Sequence, residues 1–166
     1  MTLTLILVRH AKSDHPAGMG DHERPLDGRG RRDAPRMGAW LTERGHVPER
    51  VLCSTARRAV ETWEGLREGG VDAPVTHEKT LYHAAPETMI DMLKGRAERS
   101  LMIVGHNPGI GFLAGRMAAD PPDEGAFLRY PTCAVTVLRF DMDGWNGVTE
   151  GTGEVVAFAV PRDLAD

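Results

Sequence analysis

Two stretches of this chain are almost unbroken in their apolarity: Leu-Thr-Leu-Ile-Leu-Val at residues 3–8 and Leu-Met-Ile-Val at 101–104. Both are too short to cross a membrane as a helix. Neither shows the polar alternation of a strand with one wet face. Such runs fit strands covered on both sides, as in a parallel sheet with helices packed on each face. The rest of the chain supplies candidates for those helices. Residues Gly28–Arg44 read as a helix, with Asp27 as a cap and Pro35 as a bend or a late start. Ala56–Glu68 carries Ala59, Trp63 and Leu66 on one face, and Pro86–Lys94 starts with a proline suited to a first helical turn. A further helix is expected from Pro108 to Met117. Between them lie short strands at Arg50–Ser54 and Pro74–His77, and two late strands at Ala134–Phe140 and Glu154–Val160. Residues Asp120–Pro131 read as a loop. The alternation predicts a three-layer α/β/α sandwich with a mostly parallel central sheet and an antiparallel C-terminal strand pair.

At 166 residues the chain reads as one domain, 1–166, with no repeat, linker or low-complexity tract. Its charge is -4, with both signs mixed along the sequence, which argues against a general nucleic-acid or membrane-surface binder. The segment MTLTLILV lacks a basic leader and reads as a first strand rather than a signal peptide, so a cytoplasmic location is expected. Cys53 and Cys133 sit in apolar runs and read as buried free thiols.

In open α/β sheets, ligands bind beyond the carboxyl ends of the strands. Arg9 and His10 follow the first strand, and Ser54, Thr55 and Arg57 the second. Tyr82 and His83 follow the third, and Gly105, His106 and Asn107 the fourth. Parallel strands would bring two arginines and three histidines to one rim. That set suits phosphoryl transfer. A guanidinium binds phosphate oxygens with a planar fork of donors and keeps its charge. A neutral imidazole can attack phosphorus, and a second can hydrogen-bond the transferring group. Helices starting near Thr55 and Pro108 would aim free N–H groups at the same rim. Arg57 and Arg58 both open a helix. Arg57, nearer the strand end, is assigned to the site and Arg58 to the surface. His15, His22, His46 and His77 read as surface or loop residues.

The segments LVRHAKS, STARRAVET and VGHNPG, in that order, resemble motifs of the histidine phosphatase superfamily, with SixA-type phosphohistidine phosphatases the nearest group. The similarity spans roughly residues 3 to 140. It implies that His10 is the phosphorylated nucleophile, and that Arg9, Arg57 and His106 hold the phosphoryl oxygens. Ser13 is expected to add a hydrogen bond. The glycine that many members carry after the nucleophile is Ala11 here, as is common in the SixA-like group. Mutase-like members have an asparagine where this chain has Pro16, and long insertions that it lacks. Where many hydrolytic members place a glutamate as general acid, this chain has His83, either the acid or a supporting residue.

The expected activity is a metal-independent phosphatase without cofactors, removing phosphate from phosphohistidine on a partner protein such as a histidine phosphotransfer domain. The alternative substrate is a small phosphomonoester. Two other classes remain in view: a metallohydrolase using His10, Asp14, His15 and His106, disfavoured by the adjacent Arg9 and Lys12, and a phosphate-binding module without turnover.

Overall fold

The computed structural model describes residues 1–164. Six strands form one sheet: β1 (Thr2–Arg9), β2 (Arg50–Ser54), β3 (Val75–Glu78), β4 (Ser100–Gly105), β5 (Val135–Asp141) and β6 (Glu154–Ala159). Their order across the sheet is β3-β2-β4-β1-β5-β6. The first four run parallel, β5 lies antiparallel to both β1 and β6, and β1 and β4 are the inner pair.

Strand side chains alternate between two cores. Leu3, Leu5, Leu7, Leu52, Leu101 and Ile103 point to one face. That face is covered by α3 (Pro86–Leu93), α4 (Gly109–Met117) and α5 (Gly125–Arg129), through Met89, Leu93, Ile110, Leu113 and Phe127. Ile6, Val8, Val51, Cys53, Met102 and Val104 point to the other. There α1 (Gly28–Glu43) and α2 (Arg57–Glu68) contribute Ala34, Met37, Leu41, Ala59, Trp63 and Leu66. Burial on both faces is what the unbroken apolar runs require.

Two local expectations are revised. Pro35 neither delays nor ends α1, which starts at Gly28 with the Asp27 side chain accepting from the Gly30 N–H at 2.9 Å. The helix continues through the proline because α2 packs closely against it. A Cβ on Gly38 would lie 2.3 Å from the Leu66 carbonyl oxygen, and one on Gly69 would lie 2.1 Å from that of Pro35. Tertiary contact of this kind overrides local propensity. The expected loop 120–131 contains α5, whose five residues are too few to display a helical period. Cys53 and Cys133 are buried free thiols. Among the described residues, no helix is long and apolar enough to cross a membrane.

Candidate active site

The carboxyl ends of β1, β2 and β4 open into a pocket of about 250 Å³ lined by Arg9, His10, Lys12, Ser13, Arg24, Arg58, His83, His106 and Asn107, with Asp21 the carboxylate among them. β1 delivers Arg9 and His10, and the His10 N–H bonds the Gly105 carbonyl at the end of β4. The strand-end residues His10 and His106 therefore meet, with ring centroids 5.3 Å apart.

His10 is almost buried. Its Nδ1 lies 2.8 Å from the Ala11 carbonyl, which can only accept, so Nδ1 carries the proton and Nε2 keeps its lone pair. Burial pushes the imidazole down to about 3; the Ala11 bond opposes the shift, while Arg9, Arg58 and Arg24 add to it. His10 is thus a neutral imidazole at physiological pH, the form needed for attack on phosphorus. The Ala11 N–H is held by Thr62 Oγ1 on α2 at 2.9 Å, which fixes the turn after β1.

His106 is buried too, with Nε2 2.7 Å from Ser54 Oγ at the end of β2. Burial foremost, then the neighbouring His10 and Arg58, lowers it to about 2. Arg9 donates to the Tyr130 carbonyl at 3.0 Å, and Asn107 Nδ2 donates to the same oxygen at 2.9 Å.

Sequence reasoning placed Arg57 at the site, and the structure places Arg58 there instead. Arg57 is exposed and its Nε pairs with Glu61, one turn along α2, at 3.1 Å. Arg58 is 2% exposed and lines the pocket. Its two terminal nitrogens donate to Asp21, one to the backbone oxygen at 2.7 Å and one to Oδ2 at 3.1 Å. The order of the two arginines follows from helix phase. Position 58 shares its stripe with Ala59, Thr62, Trp63 and Leu66, all buried.

Ser13 lines the pocket as expected, its Oγ accepting from Arg24 at 2.8 Å. His83 lines it as well, on a left-handed backbone at φ 57, with Nε2 3.3 Å from Asp21 Oδ2. Two other groups were not foreseen: Asp21 and Arg24 come from the stretch between β1 and α1, where no periodicity marks them. His15, read as surface, is exposed and reaches the pocket edge. Among the described residues, no group of three or more His, Cys, Asp or Glu side chains is arranged to hold a metal.

Three buried nitrogens on residues that line the pocket, Arg9 Nε, Arg58 Nε and His106 Nδ1, have no hydrogen-bond partner among the described residues. A buried polar group left unpaired costs roughly 1–3 kcal/mol. Ser54 Oγ accepts from the Ala56 N–H, so its own proton can go to His106 Nε2 and leave the His106 proton on Nδ1. Arg9, Arg58 and His106 thus gather donors at one pocket beside the neutral His10 imidazole, a set suited to a phosphoryl group.

The chain and its fold have counterparts among known proteins. The family model of the histidine phosphatase superfamily (branch 1) matches residues 5–85. The uncharacterized protein Rv1276c of Mycobacterium tuberculosis is 39% identical over 162 residues, covering 93% of this chain and 100% of that protein. A protein from Nakamurella multipartitia, provisionally designated phosphohistidine phosphatase SixA, superposes with a TM-score of 0.79 at 27% identity, over 97% of each chain. The protein histidine phosphatase SixA complexed with tungstate gives a TM-score of 0.69 at 21% identity, covering 97% of this chain and 99% of that one. Fold and pocket together are those of a phosphatase. The chain belongs to the histidine phosphatase superfamily and is SixA-like within it.

Proposed function

We propose that this phosphatase works through a phosphohistidine intermediate on His10 and removes phosphate from phosphohistidine on a partner protein. His10 Nε2 attacks phosphorus. Arg9, Arg58 and His106 hold the three oxygens and stabilise the charge that shifts in the transition state. Ser13, through Arg24, supports the edge of the same clamp. Water then cleaves the phosphorus–nitrogen bond. The observation that carries this reading is the meeting of Arg9, Arg58 and His106 at one pocket with a neutral, oriented imidazole. The likeness to the Nakamurella protein supports the substrate class. So does the exposure of its edge, where His83 and Asp21 are half open and accessible to a protein surface.

The test is phosphate labelling. Wild-type protein mixed with a ³²P-phosphorylated donor and quenched in alkali should carry acid-labile label, and His10→Ala should carry none and turn nothing over. Label trapped on His10→Ala would show that another residue is the nucleophile. Rates on a panel of phosphohistidine proteins and phosphorylated metabolites should rank the proteins first. A small phosphomonoester is the second reading, favoured by the half-exposed His83 at the pocket, which a good leaving group does not need. A module that only binds phosphate would take up label at no residue and release none.

A further inference from the structure

We propose that Asp21 and His83 form one proton-delivering unit, in which Asp21 is a positioning residue and His83 the acid that protonates the leaving group. The inference rests on the His10 mechanism above. It adds a residue pair that extends the same site, beyond phosphohistidine, to phosphomonoesters of alcohols, whose leaving alkoxides need a proton.

The two residues come from separate parts of the chain. Asp21 opens a 3₁₀ turn, Asp21–Glu23, between β1 and α1. His83 follows β3. Asp21 Oδ2 faces His83 Nε2 at 3.3 Å, while His83 Nδ1 has no hydrogen-bond partner among the described residues. A carboxylate on one ring nitrogen fixes the tautomer and turns the other nitrogen into the one that exchanges protons. The His83 ring stacks on Tyr82 at 4.1 Å and lies 5.4 Å from His106, so it is seated against the pocket. Its backbone is left-handed, a conformation costly for a residue with a side chain and concentrated at working sites.

Asp21 is itself no proton donor. The Tyr82 hydroxyl, Arg24 and Arg58 all donate to its carboxylate and hold it ionised, well below the usual carboxylate range. The same bonds fix its orientation. They also fasten Arg58, which gives Asp21 a second role in seating the phosphoryl clamp.

The chemistry balances. His10 Nε2 forms a bond to phosphorus as the ester P–O bond breaks, its electron pair going to the alcohol oxygen. That oxygen takes the Nδ1 proton of His83, which enters the step as an imidazolium with its Nε2–H kept on Asp21, and the alcohol departs from a now neutral ring. Water then attacks phosphorus, the P–N pair returns to His10, and the proton that water loses goes back to His83.

The experiment compares an alkyl phosphate with a nitrophenyl phosphate, whose leaving anion needs no proton, in wild type, Asp21→Asn, His83→Ala and the double variant. His83→Ala should slow the alkyl ester by about 10²–10⁴-fold and the nitrophenyl ester far less. Asp21→Asn should lower the alkyl-to-nitrophenyl rate ratio by roughly tenfold or more, chiefly in kcat. The double variant should be no slower on the alkyl ester than His83→Ala alone. Activity on the nitrophenyl ester also certifies that each variant is folded. Equal losses on both esters in Asp21→Asn would mean that Asp21 serves only the Arg58 clamp, and would overturn the proposal. So would an unchanged ratio. Wild type that labels His10 and hydrolyses only the nitrophenyl ester would overturn this proposal and leave the His10 mechanism standing. Inactivity on both esters without labelling would overturn both.

Discussion

Arg57 and Arg58 are chemically identical neighbours with opposite surroundings, and the difference is measurable. Arg58 cannot be exchanged for lysine without losing the planar fork that spans the backbone oxygen and carboxylate of Asp21 at the pocket. Arg58→Lys should cost about 2–4 kcal/mol of transition-state stabilisation, a fall in kcat/KM of about 30- to 1000-fold. Arg57→Lys, which touches only an exposed ion pair, should leave the rate within about twofold. Steady-state kinetics on a nitrophenyl phosphate checks both, and the reverse pattern would return the clamp to Arg57. The sequence already held the answer, because the buried stripe 59, 62, 63, 66 runs back to 58 and not to 57. Proximity to the strand end was the weaker signal. For Arg9, His10 and His106 the strand-end argument alone suffices to place them at the pocket, since each directly follows or ends a parallel strand, whereas His83 reaches it from beyond the 3₁₀ turn Lys79–Leu81 that follows β3. Asp21 and Arg24 escape it. They lie in the stretch before α1, where only long-range pairing to Arg58, Tyr82 and Ser13 gives them a position.

One side chain links two elements and the site between them. Thr62 on α2 accepts from the Ala11 N–H and donates to the Arg58 carbonyl at 2.6 Å, so the turn after β1 and the first turn of α2 share a single fully buried hydroxyl. Thr62→Val keeps the shape and leaves the Ala11 N–H buried and unpaired, a loss of roughly 1–3 kcal/mol. Urea denaturation should report that loss. Kinetics on the folded fraction should also fall, because Ala11 holds the proton side of His10. Unchanged stability would mean that the turn finds another partner. At this scale the reading of sequence was close for the long elements and poor for the short ones. The double-sided apolar runs define β1 and β4, and the Ala59–Trp63–Leu66 face defines α2. Neither device reaches α5, with five residues, or tells that α1 passes intact through Pro35. The second is decided by the glycine-lined approach of α2, which lies outside α1's own sequence.

For the molecule as a whole, two neutral buried imidazoles couple stability to acidity. His10 and His106 are held at about 3 and about 2, against an ordinary value of 6.5 in the unfolded chain. Between those limits the unfolded state binds more protons than the folded one, so stability is full above pH 6.5 and falls as pH drops through it. Each histidine contributes a slope of up to about 1.4 kcal/mol per pH unit. Asp21, shifted down, adds its own loss only below the carboxylate range. Urea midpoints at pH 7.5 and pH 5 should differ accordingly, and His106→Asn should remove about half of the difference. A wild-type midpoint flat across that range would mean that the two rings are solvated. The order of the strands has a separate consequence. β1 and β4 sit at the middle of the sheet and carry His10 and His106, while β3, which precedes His83, is at its edge. Edge segments open to solvent through partial excursions, whereas central strands open only when everything does. Amide hydrogen exchange should therefore be slowest at Leu7 and Ile103 and much faster around Val75–Glu78. In rising denaturant the protein should pass through a window in which nitrophenyl phosphate is still hydrolysed and the alkyl ester no longer is, because the nucleophile outlasts its acid.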